Sequence, residues 1–175
     1  MHRFSLLFAL SLLLILTGCA PSGKEPSPAS LLTPFQSVPS DKCQLLQKGS
    51  HRDSCAVCGM HLPTYCKTNH AAVTKEKNAR QYCSLHCLVY DNEIERTDLY
   101  DVKVVDTVSL RFIPAQSAFY VVGSRMPGTM TRFSKYAFAK RADADAFVRQ
   151  YEGHVMNFYD AYTVAMEDFM EEEEK

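Results

Sequence analysis

His70 to Asp106 reads HAAVTKEKNARQYCSLHCLVYDNEIERTDLYDVKVVD, and its periodicity decides the fold class. His70 to Thr74 and Ala79 to Cys83 are short, apolar-rich runs bounded by polar turn residues, which predicts two strands. Leu85 to about Glu95 carries helical spacing, and Val102 to Asp106 returns to a strand. The order is ββαβ. Further on the same order recurs. Ala118 to Val122, with Phe119-Tyr120-Val121-Val122 at its heart, predicts a buried strand, and Lys135 to Ala139 another. Ala144, Phe147, Val148 and Tyr151 follow at i, i+3, i+4 and i+7 and define one apolar helical stripe, stopped at Gly153 before a strand-like His154 to Phe158. A last helix, with Tyr159, Tyr162, Met166 and Phe169 on one side, runs into Glu171 to Glu174, a solvated acidic tail over 171–175. The expected fold is α+β: two small ββαβ-type lobes, about 54–110 and 111–170, in one domain over 41–170.

Upstream of that domain the chain changes character. Met1-His2-Arg3 is a short positive start, and Phe4 to Leu16 is an almost unbroken apolar run. The run is short of the roughly 20 residues a transmembrane helix wants, so residues 1–18 read as a secretory signal peptide. Leu16-Thr17-Gly18-Cys19 resembles a lipobox, in which Cys19 becomes the acylated, palmitate-bearing first residue. Ala20, rather than an aspartate, follows it; by resemblance to the Gram-negative sorting pattern this favours the periplasmic face of the outer membrane. Pro21, Pro26, Pro28, Pro34 and Pro39 then stand among Ser, Gly and Lys, so 19–40 reads as a lipid-anchored flexible tether. Loss of Arg3 with the signal leaves 18 Lys and Arg against 20 Asp and Glu, a mature charge near −2. That balance offers no basic stripe for a phosphate backbone, and nucleic acid is not an expected partner.

Seven cysteines are present, six once Cys19 is set aside, and those six all fall between positions 43 and 87. A disulfide scaffold for the whole domain would be spread more widely. Cys55-x-x-Cys58 and Cys83-x-x-x-Cys87 are each local and suit convergence on one metal, while Cys43 and Cys66 can simply pair with each other. The richest segment is Ser54-Cys55-Ala56-Val57-Cys58-Gly59-Met60-His61, with two thiols, a thioether and an imidazole in close succession. Thiolate and thioether together select copper(I), whereas calcium or magnesium would want carboxylates. Gly59 allows the tight turn that lets Cys58 and Met60 face one point. Alone, Cys-x-x-Cys is equally compatible with a redox dithiol, half a zinc site or a disulfide.

Around Cys58-Gly59-Met60 the sequence resembles the NosL family of nitrous oxide reductase accessory proteins. The resemblance continues through Tyr120-Val121-Val122-Gly123, Gly128-Thr129-Met130, Ala137-Phe138-Ala139, Ala146-Phe147 and Gly153-His154-Val155. It implies a copper(I)-binding lipoprotein, not an enzyme, that serves the nitrous oxide reductase assembly apparatus of denitrification from the cell envelope. Carried over, the copper ligands are Cys58, Met60 and Met130, with Cys55, His61, Cys83, His86, Cys87 and Met126 as secondary candidates. Gln81-Tyr82-Cys83-Ser84-Leu85-His86-Cys87 departs from the simplest family pattern and looks like half of a treble-clef-like module. Four thiolates closed on zinc would leave Cys58 unavailable to copper. Two other readings therefore stand beside the carrier: a thiol-disulfide oxidoreductase using Cys55 and Cys58, and a structural zinc module using Cys55, Cys58, Cys83 and Cys87. No nucleophile elbow, His-Glu-x-x-His or paired-carboxylate signature supports a hydrolase.

Overall fold

The computed structural model describes residues 34–170. The signal peptide, Cys19, the tether as far as residue 33 and the acidic tail lie outside the described residues. Among those described, no helix is long and apolar enough to cross a membrane.

Strands β1 (His70–Thr74) and β2 (Ala79–Tyr82) form a hairpin with His70 opposite Tyr82 and Val73 opposite Ala79. With β3 (Leu99–Val105) and β4 (Phe112–Pro114) they make an antiparallel sheet in the order β2-β1-β3-β4. The helix expected after Cys83 begins as α1 (Leu85–Val89) and continues as one π-helical turn, Tyr90–Ile94. That turn carries Asp91 inward. Its carboxylate accepts from Arg80 Nε at 2.6 Å, Tyr82 Oη at 2.7 Å and Thr97 Oγ1 at 2.8 Å, so a buried charge is fully paired. Burial, followed by Asp91, pushes the Tyr82 phenol well above its usual range.

In the second lobe β5 (Phe119–Val122) lies between β6 (Lys135–Phe138) and β7 (His154–Met156), again antiparallel. The period of two separates its side chains cleanly. Tyr120 and Val122 enter the main core with Leu62, Tyr82, Leu88 and Val104, whereas Val121 joins Tyr136, Phe138, Ala144 and Phe147 under α2 (Arg141–Tyr151). Both ββαβ repeats are thus present, and the stripe expected on α2 is the face that packs.

Three details differ from the expectation. The lobe boundary near 110 falls inside the first sheet, because β4 pairs with β3. The last helix, α3 (Phe158–Met170), buries Phe158, Ala161 and Ala165, while Tyr159 is 67% exposed, so its stripe begins one residue earlier. The alanines allow α3 to pack across α1 of the other lobe. Finally, the stretch read as tether is docked from Pro34 onward. The Phe35 ring contacts those of Tyr136, Phe147 and Tyr151, and Gln36 Nε2 donates to the Pro127 carbonyl at 2.8 Å. Phe35 has apolar partners to bury against, which outweighs the disordering effect of the prolines.

Between the lobes, His70 and Tyr120 are both buried and share a hydrogen bond of 3.1 Å, and Asp106 accepts from the Ala139 N–H at 2.9 Å. Cys43 and Cys66 form a disulfide, as their sequence placement allowed.

Candidate metal centre

A hairpin-like knuckle presents the first two thiols. Cys55 N–H donates to the Met60 carbonyl at 2.8 Å, Gly59 N–H donates back to the Cys55 carbonyl at 3.0 Å, and Ser54 bridges His61. Gly59 sits at a φ of 73°, a region open to glycine at little cost, and this closes the turn. The knuckle docks on the outer edge of β2 through Ala56 N–H and the Gln81 carbonyl at 2.9 Å. The Gln81 side chain, also buried, accepts from Leu46 N–H and donates to the Gln44 carbonyl, so the strand leading to Cys83 is clamped on both sides. Cys83 follows β2 directly. Ser84 then caps α1, accepting from the Cys87 N–H at 3.4 Å, which fixes Cys87 in the first helical turn.

The result is a cluster of Cys55, Cys58, Cys83 and Cys87 whose sulfurs all lie within 4.8 Å of one another. Cys58 to Cys83 is 3.6 Å, Cys83 to Cys87 is 3.6 Å and Cys58 to Cys87 is 3.7 Å. A tetrahedral ion with metal–sulfur bonds of about 2.3 Å needs sulfur–sulfur edges of about 3.8 Å, so this cluster can hold one metal ion. Cys55, Cys83 and Cys87 are buried, and Cys58 alone is exposed. Hydrogen bonds from the Cys83 and Cys87 thiols, then from the backbone at Cys58 and Cys83, hold the Cys55 thiol far below its ordinary range. The Cys55 sulfur in turn pushes Cys83 and Cys87 upward, with burial adding to both. A thiol that favours the thiolate beside two that favour the proton is an arrangement in which a soft cation can replace protons.

The other candidates are distributed around this cluster. Met60 is half-buried against the main core, with its carbonyl closing the knuckle. His61 is exposed, Nδ1 lying 3.0 Å from Thr64 Oγ1. His86 lies on the α3 side of α1, its ring 4.3 Å from that of Phe169 and its Nδ1 3.7 Å from Asp168 Oδ2. Met126 packs against the second cluster. Met130 is 45% exposed at a φ of 51°, on a turn that also requires Gly128, where a Cβ would stand 2.8 Å from Thr131 Cγ2.

The Lys135–Asp168 ion pair, the Thr68 and Thr129 hydroxyls and the Gln81 clamp are absent from the sequence reading. They are single polar residues in apolar or turn segments, and no spacing distinguishes them from solvent-facing ones.

No curated protein sequence matches the chain. Among solved structures, the crystal structure of the copper chaperone NosL from Shewanella denitrificans superposes with a TM-score of 0.52 at 24% identity. The match covers 66% of this chain and 95% of that one, and it bears out the α+β fold. The model of the NosL family matches residues 47–165, most of the described domain, and this chain therefore belongs to the NosL family.

Proposed function

We propose that the protein is a copper(I) carrier, held by lipidated Cys19 at the periplasmic face of the outer membrane, that delivers copper for assembly of the nitrous oxide reductase copper centres. The observation that carries this reading is the exposed Cys58 at the corner of an otherwise buried group of four thiols. A carrier must hold its ion firmly and still offer a side from which an acceptor's ligands can displace it. Three buried sulfurs provide the hold, and Cys58 provides the side. Met60 and Met130 supply thioethers, soft ligands that need no deprotonation and so keep their affinity in mild acid. Family membership, and the likeness to a protein described as a copper chaperone, support the choice of ion.

Competition against a copper(I) chelator tests the assignment. Cys58→Ser and Met130→Leu each weaken copper(I) binding by about tenfold or more, whereas Met166→Leu, on the core side of α3, does not. Equal affinity in all three variants contradicts it. Membrane fractionation checks the anchor: Cys19→Ala releases or misprocesses the chain, and unchanged fractionation refutes lipidation there.

One alternative has a specific observation in its favour. The sulfur–sulfur edges of 3.6 to 3.7 Å suit tetrahedral zinc, which would make the cluster a structural module. In that case one zinc is retained against a strong chelator and lost in Cys83→Ser, and Met130→Leu has no metal phenotype.

A further inference from the structure

Met130 is held from both sides. Upstream, Thr129 is buried and shares a 2.9 Å hydrogen bond with the Thr68 hydroxyl, and Thr68 Oγ1 donates to the Cys83 carbonyl at 2.7 Å. Downstream, Thr131 Oγ1 accepts from Lys135 Nζ at 2.7 Å and donates to Asp168 Oδ2 at 2.5 Å. A hydroxyl carries one proton, so the ammonium on one side and the carboxylate on the other fix the direction of the second chain. Lys135 and Asp168 are themselves paired at 3.3 Å, their side chains 3% and 9% exposed, and cannot easily move apart. These anchors sit on β6 and α3, whereas Thr68 lies beside β1 and Cys83 follows β2.

Between the two latched threonines, Met130 occupies the left-handed region, which side chains other than glycine rarely adopt. Such a conformation persists where its surroundings over-determine it. Two flanking hydroxyls tied to Thr68, Lys135 and Asp168 provide that, and the residue so constrained exposes a thioether.

We infer that Thr129 and Thr131 are positioning residues for Met130: one latch runs through Thr68 to Cys83, the other to Asp168 and Lys135, and together they fix the thioether relative to the thiol cluster. The inference rests on the copper(I) reading of Met130 given above. Neither threonine touches the ion; each acts through the methionine between them. Asp168 lies beyond the stretch matched by the family model, so the second latch depends on the last turns of this chain's own α3.

The test uses selenomethionine-labelled domain loaded with copper(I) without oxygen, read by copper-edge X-ray absorption for a copper–selenium distance and by chelator competition for affinity. Met130→Leu removes one selenium neighbour. Thr129→Val and Thr131→Val each weaken copper(I) by about tenfold and diminish the copper–selenium signal. Their apo melting temperatures stay near that of the parent, and Thr131→Ser, which keeps the hydroxyl, restores both readouts. Added to Met130→Leu, either valine has no further effect. The inference is overturned if Met130→Leu removes one selenium neighbour while both valine variants keep it, or if the valines weaken copper(I) equally in the Met130→Leu background. Should Met130→Leu itself alter neither readout, its assignment as a ligand fails and the positioning role goes with it.

Discussion

Cys58 differs from its three companions in accessibility, and that difference separates a carrier from a closed structural site. Its exposure follows from the knuckle: Cys55 faces inward beneath the Met60 carbonyl, and Cys58 stands at the tip next to Gly59. His70 shows the opposite case, a titratable group made inert by burial. With Nδ1 3.0 Å from the Thr68 carbonyl and Nε2 3.1 Å from Tyr120 Oη, it bonds both partners as the neutral ring, donating from Nδ1 and accepting the phenol proton at Nε2. Burial lowers its pKa from 6.5 to about 4. The folded state then binds fewer protons than the unfolded one between those values. Its contribution is complete above pH 6.5, declines as pH falls toward 4, and amounts to about 3 kcal/mol. Asp168, lowered to about 2, despite its burial, by His86 beside it, by the Thr131 hydrogen bond and by the Lys135 charge, loses its contribution only below its unfolded value of 3.8. The two windows are separate. Denaturation midpoints measured from pH 7 to pH 4.5 should therefore fall in the parent and fall less in His70→Gln; parallel curves would refute the assignment.

The elements were legible wherever one periodicity dominated. α2 packs through the stripe of Ala144, Phe147, Val148 and Tyr151, and β5 alternates between two cores as its apolar run allowed. What escaped the sequence depends on distant partners. β4 is three residues long and exists because β3 offers an edge. The 3-10 stretch Leu62–Thr68 carries Cys66 into its disulfide and places Thr68 against Thr129. That disulfide closes the loop from Cys43 to Cys66, which contains the whole knuckle. Restricting a loop of 23 residues in the unfolded chain is worth about 3 kcal/mol. Replacing both cysteines by alanine should lower the unfolding free energy by about that amount in urea titrations. Because Ala56 and Gln81 still hold the knuckle to β2, metal stoichiometry should be retained. Loss of metal binding in this double variant would show that the disulfide, not the strand edge, shapes the site.

At the scale of the whole molecule, two repeats that look separable in sequence share the main core, and the Thr68 hydroxyl ties the Met130 turn, through Thr129, to the Cys83 carbonyl. The spacing of Cys55, Cys58, Cys83 and Cys87 made their convergence readable, since both pairs are local. The approach of the Met130 turn was not, because it depends on the Thr68 hydroxyl meeting Thr129 and the Cys83 carbonyl, contacts that only the packed lobes bring about. Native mass spectrometry of the mature domain, prepared without oxygen and examined before and after addition of copper(I), bears most directly on the central claim. A copper(I) carrier takes up copper(I) that withstands a competing chelator and is lost from Cys58→Ser. A domain that keeps one zinc ion through chelation and shows no copper(I) uptake in excess of Cys58→Ser would contradict it.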